Sequence, residues 1–90
     1  MKKHPVKVEG FNGNLEELAR AIFGMRYDVV VEFLKHSQKE LRRQSEGDEG
    51  RGRIKLSNLL SDAEQKTVEL QEIMEKIFLV CKPFMKNELD

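Results

Sequence analysis

The feature that most constrains the fold is a regular line of mainly apolar residues towards the C-terminal end of the sequence. Its members are separated alternately by four and three residues, which is the 3.5-residue period of a helix that packs lengthwise against another helix. We call this line the ladder, and it consists of Leu56, Leu60, Ala63, Thr67, Leu70, Met74, Ile77, Cys81 and Phe84. The ladder predicts a long helix that needs a helical partner, and no catalytic or ligand-binding motif accompanies it.

The composition favours a single all-α domain. The chain has 90 residues, of which 36% are charged and 7% aromatic, with only two prolines; amphipathic helices with solvated outer faces have this composition. Its 16 basic and 16 acidic side chains cancel, so no net charge attracts nucleic acid, a membrane or acidic partners. A single cysteine, Cys81, and the lack of a long apolar run lead us to expect a cytoplasmic protein without a secretory signal or a membrane span.

Helix-start and turn signals divide the sequence into five segments. Asn14 and Glu17 have the spacing of a capping box that starts a helix, the three glycines after Ser45 favour a turn, and Pro83 ends the second helix. The sequence therefore predicts an extended arm or edge strand over 1–13, helix one over 14–45, a glycine-rich turn over 46–52, helix two over 53–82 and a tail over 83–90. The resulting fold is a long antiparallel two-helix hairpin that makes up one domain, 1–90.

Both predicted helices carry more apolar side chains than one facing helix would cover. In an antiparallel hairpin this surplus collects in the half away from the turn, and we predict an interface there. Two copies related by a two-fold axis would bury it in a four-helix bundle, so a homodimer is the first expectation. The alternatives are a different protein as partner, or a monomer covered by its own arm. The predicted interface residues are Phe23, Tyr27, Val30, Val31, Leu34, Ile73, Phe78, Leu79 and Val80.

Basic residues gather near the turn and form a candidate polar contact tip. Such side chains can contact phosphates through their charge. Glu40, Glu46, Asp48 and Glu49 lie among them and dilute the positive potential, so a solvated surface is the favoured interpretation. The tip residues are Arg42, Arg43, Arg51, Arg53 and Lys55.

One small group of residues has the chemistry of a metal site. Glu32 and His36 lie four residues apart on one face of helix one, and the hairpin places Asp62 of helix two roughly opposite. Two carboxylates and an imidazole can bind a divalent metal. The spacing does not match the Glu-x-x-His motif of di-iron bundles, so we favour an exposed pair on a helix surface.

The sequence favours one functional class mainly because it lacks the motifs that the other classes need. We expect a non-enzymatic protein-interaction or assembly module that forms a helical homodimer, with no cofactor and no catalytic or metal-binding residue. A small nucleic-acid-associated regulator that uses the basic tip is the alternative, and a metal-dependent helical-bundle enzyme is the second alternative. Binding to nucleic acid is not favoured, and we expect no association with a membrane.

Overall fold

The computed structural model describes residues 4–85, and every regular element in that range is helical. Helix α1 spans Leu15–Phe23, helix α2 spans Tyr27–Gly50 and helix α3 spans Ile54–Cys81, followed by a single 3-10 turn at Lys82–Phe84. The helices α2 and α3 are antiparallel and pack closely along their length, whereas α1 makes only a light contact with α2. The all-α class is confirmed, and the hairpin of two long helices carries a third, short helix at its open end.

Helix α1 begins where the sequence predicts it. The side-chain oxygen of Asn14 accepts a hydrogen bond from the backbone N–H of Glu17 at 2.8 Å, and the Glu17 carboxylate accepts one from the backbone N–H of Asn14 at 3.3 Å. This reciprocal pair satisfies two donors that the first turn of a helix leaves without intrahelical partners. The preceding residues of the predicted arm contain no strand within the described range that begins at residue 4, and Val8 and Phe11 close a turn through a backbone hydrogen bond.

The predicted helix one is two helices, because the chain breaks between Phe23 and Tyr27. Gly24 closes α1 by donating its N–H to the carbonyl of Arg20, and Arg26 then adopts an extended backbone with φ −54° and ψ 140°. Asp28 lies in the first turn of α2, where the helix dipole favours a negative charge. Its carboxylate lies 2.6 Å from the guanidinium of Arg26. The apolar spacing of the sequence passes through this break without a gap, so periodicity did not reveal it.

Helix α2 continues to Gly50, through most of the segment that was predicted to be the turn. The turn itself is only three residues long and is closed by a hydrogen-bond pattern known as a Schellman motif: Arg53 N–H donates to the carbonyl of Asp48, and Gly52 N–H donates to that of Glu49. Gly52 has φ +77°, a left-handed conformation that glycine adopts without steric cost. An ion pair of 3.0 Å between Arg53 and Asp48 stands where such motifs often have an apolar contact.

Helix α3 begins and ends within one residue of the predicted helix two. Its end coincides with Pro83, which lies in the 3-10 turn and cannot supply the amide hydrogen that a further α-helical turn requires. Among the helices of residues 4–85, none is both long and apolar enough to cross a membrane.

The contact between α2 and α3 has two distinct halves. The half near α1, which we call the core half, holds the hydrophobic core of Val30, Val31, Leu34 and Met74, with Tyr27 and Ile77 packed against it. The half near the turn, which we call the turn half, covers residues 38–50 of α2 and 54–71 of α3. Its contacts are largely polar, including a hydrogen bond of 2.7 Å between the side chains of Gln38 and Gln71.

Candidate protein-interaction surface

Helix α3 faces α2 with one line of its side chains, which we call the inner seam. The members follow the three-and-four spacing of packed helices, and all of them are buried or half-buried. Polar members predominate as far as Gln71, where Ser57, Glu64 and Gln71 contact polar side chains of α2, and the members beyond Gln71 are apolar. The inner seam consists of Ser57, Leu60, Glu64, Thr67, Gln71, Met74, Phe78 and Cys81.

The polar part of the inner seam is held by specific side-chain contacts. The hydroxyls of Ser45 and Ser57 lie 3.0 Å apart, and each also donates to the backbone carbonyl of the other residue at 2.9 Å. The Arg42 guanidinium lies 2.7 Å from the Glu64 carboxylate. Each buried side-chain nitrogen or oxygen within residues 4–85 has a hydrogen-bond partner, so these polar groups are accommodated without an unpaired donor or acceptor.

A second line of side chains runs along α3 beside the first, and we call it the outer seam. It also alternates three and four residues, and seven of its eight members are apolar, yet α2 leaves all of them but Ile77 exposed. The large apolar side chains Leu56, Leu59 and Ile73 are 41%, 57% and 54% exposed, whereas Ile77 is half-buried. The outer seam consists of Leu56, Leu59, Ala63, Lys66, Leu70, Ile73, Ile77 and Val80.

The two seams show that the ladder correctly predicts a packed helix but does not predict which of its residues contact α2. In heptad terms the ladder holds the a and d positions of α3, the inner seam holds a and e, and the outer seam holds d and g. Helix α2 therefore packs to one side of the ladder and takes four of its nine members. The other five, together with the g positions, remain at least partly in contact with solvent; such a helix has room for a second helix beside the first.

The start of the outer seam lines an open depression. It has a volume of about 580 Å³, and its lining is largely apolar at Ile54, Leu56 and Leu59. The depression extends the uncovered surface of α3 to the turn. At the other end of the helix the line of exposed side chains continues into the 3-10 turn, where Phe84 is 88% exposed.

The protein as a whole exposes more surface than a compact monomer of its mass. Its accessible surface is 7537 Å², whereas a chain of 10.5 kDa is expected to expose about 5,400 Å², an excess of about 2,100 Å². Its radius of gyration is 16.2 Å, against about 12 Å for a compact domain of this length. The elongated hairpin and the exposed residues 4–10 of the arm contribute to this excess as well as the outer seam.

Several residues of the predicted interface are already covered within one copy. Val30, Val31 and Leu34 are 0%, 7% and 4% exposed, and they form the core with Met74. Tyr27 packs against this core, and Phe78 lies on the inner seam; both are half-buried. Tyr27, Val30, Val31, Leu34 and Phe78 therefore contribute to packing within one copy, fully or in part.

The remaining residues of the predicted interface are exposed. Ile73 and Val80 lie on the outer seam, whereas Phe23 lies at the end of α1 and Leu79 lies on α3 away from both seams. The predicted interface lies in the half of the hairpin away from the turn and so does not include the first half of the outer seam. The ladder carried the signal for Leu56 and three further members of the seam, but the g positions stood outside it. The outer-seam residues outside the predicted interface are Leu56, Leu59, Ala63, Lys66, Leu70 and Ile77.

The basic side chains of the candidate tip are mostly paired with acids of the same chain. Arg42 pairs with Glu64, Arg53 pairs with Asp48, and Arg43 pairs with Glu40. Hydrogen bonds from Arg43 and Gln44 lower the pKa of Glu40 to about 2. Phosphates of a nucleic acid would have to compete with these carboxylates for three of the five basic side chains. Fewer phosphates would then be neutralised and fewer counterions released, which weakens non-specific binding to nucleic acid.

The candidate metal ligands do not converge. Glu32 and His36 lie 3.9 Å apart on the exposed surface of α2. In the part of the chain that the structure describes, no three His, Cys, Asp or Glu side chains lie close enough together to hold a metal ion, so Asp62 does not complete a site with them. A divalent metal requires several ligands at fixed distances, and this pair supplies at most two.

Comparison with known proteins gives no indication of function, so the function is argued from the surfaces described above. The chain matches no protein-family model, and no curated protein or solved structure shows significant similarity to it.

Proposed function

We propose that this protein is a non-enzymatic protein-interaction module that assembles as a homodimer by packing the outer seam of α3 against a helix of a second copy. The observation that carries this proposal is the outer seam itself: seven apolar side chains in helix-packing register, of which all but the half-buried Ile77 are exposed, on a helix whose neighbouring face is already occupied. Scattered apolar residues are common on protein surfaces, but a continuous apolar surface is typical of an interaction site.

The length of the outer seam supports a helix as the binding element. From Leu56 to Val80 it extends over about 36 Å at 1.5 Å per residue. A matching partner surface must present apolar side chains with the same period. A second copy offers one, and two-fold symmetry lets each copy bury the same residues. The two hairpins together would form a four-helix assembly.

The proposal is tested by the mass of the protein in solution and by one pair of matched substitutions. Ile73→Glu places a carboxylate in the middle of the outer seam, where burial without a partner is costly. Leu79→Glu makes the same kind of change at an exposed position of α3 away from both seams. Light scattering should report twice the chain mass of 10.5 kDa for the wild type and for Leu79→Glu, and a single chain for Ile73→Glu.

Two results would contradict the homodimer. One is a wild-type protein that remains a single chain at micromolar concentration. The other is an Ile73→Glu variant that retains the dimer mass, which would mean that any association uses another surface. Circular dichroism of each variant establishes that the helices are intact.

A further inference from the structure

Resting on the proposed homodimer, we propose that its two α3 helices pair antiparallel about a two-fold axis level with Val68, so that Lys66 of each copy faces Glu69 of the other. This arrangement deepens the proposed function by specifying the orientation and register of the second copy. The pattern of apolar and charged residues along α3 carries it.

In this register every member of the outer seam has a counterpart in the second copy. Antiparallel helices related by a two-fold axis bring together residues at equal distances on either side of the axis. An axis level with residue 68 leaves no member of the outer seam unmatched. The opposed pairs are Leu56 with Val80, Leu59 with Ile77, Ala63 with Ile73, and Lys66 with Leu70, each formed twice.

The charged side chains beside the outer seam are complementary in the same register. Lys66, the one charged member of the seam, approaches Glu69 of the second copy, and Asp62 on the rim approaches Lys76 of the second copy. Within one copy Lys66 Nζ lies 3.2 Å from Glu69 Oε2, and both side chains are more than half exposed. Two lysines and two glutamates would therefore surround the axis. The two Glu69 side chains face each other there, and each has Lys66 of its own copy and Lys66 of the second copy beside it, so the ion pairs can form within or between copies. Rim charges of this kind select register and orientation.

Other arrangements of the same two helices place like charges together. A shift of one heptad that moves the axis towards the turn brings Asp62 opposite Glu69. The opposite shift leaves Leu56 without a counterpart and brings Lys66 near Lys76. A parallel pair in register places Lys66 directly against Lys66 of the second copy. Like charges in contact disfavour an alternative structure, so the charge pattern selects the antiparallel pair centred at residue 68.

Complementary charge reversals test this arrangement directly. Lys66→Glu surrounds the axis with four carboxylates, and Glu69→Lys surrounds it with four ammonium groups. Each variant alone should dimerise at least about tenfold more weakly than the wild type at low salt. An equimolar mixture should form a heterodimer of near wild-type affinity, because each new charge then faces its opposite. Glu72→Lys is the matched control at an exposed position of α3 outside both seams, and it should neither lose dimerisation nor pair with Lys66→Glu.

A distance measurement tests the orientation without reference to charge. Asn58→Cys, made in a Cys81→Ala background, carries one nitroxide label on the face of α3 away from both seams. The antiparallel pair separates the two labels by about 30 Å along the helix axis, from a rise of 1.5 Å per residue, whereas a parallel pair in register has no axial separation. In either arrangement the two outward-facing labels are also separated laterally, by about 10 Å between helix axes plus the reach of both side chains. Pulsed electron resonance on the labelled protein should therefore report a distance clearly above about 30 Å for the antiparallel pair and the lateral separation alone for a parallel pair.

The outcomes separate this inference from the proposed function. A wild-type protein that stays monomeric overturns both. A wild-type dimer that Ile73→Glu dissociates, but whose charge-reversed variants do not recover on mixing or whose labels lie closer than the antiparallel pair allows, overturns the arrangement and leaves the homodimer standing. Recovery on mixing together with the long distance supports the arrangement.

Discussion

The core half and the turn half of the α2–α3 contact use the same helix packing with opposite chemistry. In the core half, Val30, Leu34 and Met74 exclude water, and apolar burial supplies the stabilisation. In the turn half, Ser45 and Ser57 are buried as a hydrogen-bonded pair. Such a contact adds little net stability but is costly to leave unpaired. The comparison teaches that one half holds the helices together while the other fixes how they are aligned.

The largest effect is expected in the core half. Leu34→Ala removes a side chain that is 4% exposed and should lower the free energy of unfolding by about 3 kcal/mol, because the transfer energy is lost and a cavity remains. Leu79→Ala, the matched change at a position that is 64% exposed, should cost less than about 0.5 kcal/mol. Urea unfolding at one fixed protein concentration measures both, and equal losses would show that the buried contacts of Leu34 stabilise the fold no more than an exposed leucine does.

The serine pair sharpens the comparison in the turn half. Ser45→Ala should lower the free energy of unfolding by about 1–2 kcal/mol, because the Ser57 backbone carbonyl loses the buried hydroxyl that donates to it. Removing both hydroxyls in Ser45→Ala/Ser57→Ala should cost less than the sum of the two single substitutions. A double-mutant cycle by urea unfolding gives this coupling energy. Strict additivity would mean that the two hydroxyls do not act as a pair.

Two glycines near the turn should respond in opposite directions. Gly52→Ala forces a side chain into a left-handed backbone at φ +77° and should lower the free energy of unfolding by about 1 kcal/mol. Gly47→Ala lies within α2, where an added Cβ meets only the end of the Arg51 side chain, at 3.4 Å. It should raise the free energy of unfolding by about 0.5–1 kcal/mol. Thermal unfolding of the two variants under one set of conditions would contradict this interpretation if the shifts had the same sign.

The elements that sequence reasoning located correctly are those with local signals. The capping box at Asn14 and Glu17 starts α1, and Pro83 limits α3. The end of α1 also had a local signal: Gly24 lies inside the predicted helix one, four residues before Asp28, an acid suited to a first helical turn. The uninterrupted apolar spacing of Ile22 and Val29 on either side of the break outweighed this signal.

The continuation of α2 through its glycines had no local signal. Gly47 and Gly50 have low helix propensity, yet Ser45 and Asp48, on either side of Gly47, are buried against the start of α3. The Ser45–Ser57 contact joins two helices and the Asp48–Arg53 ion pair spans the turn, and together they hold the last turns of α2 in place. Contacts between residues distant in sequence outweigh a local preference that is worth about 1 kcal/mol per glycine.

The sequence by itself determined that this chain is helical, where α1 begins, the extent of α3 and the presence of more apolar surface than one hairpin covers. These properties follow from hydrogen bonds and side-chain spacing within a few turns of helix. Only the tertiary structure decided which side of the ladder meets α2 and which side is left as the outer seam. The reason is geometric: a stripe four positions wide in each heptad can accept a neighbour on either side. The choice depends on partners such as Ser45 and Gln38, which meet α3 only when the chain has folded back on itself.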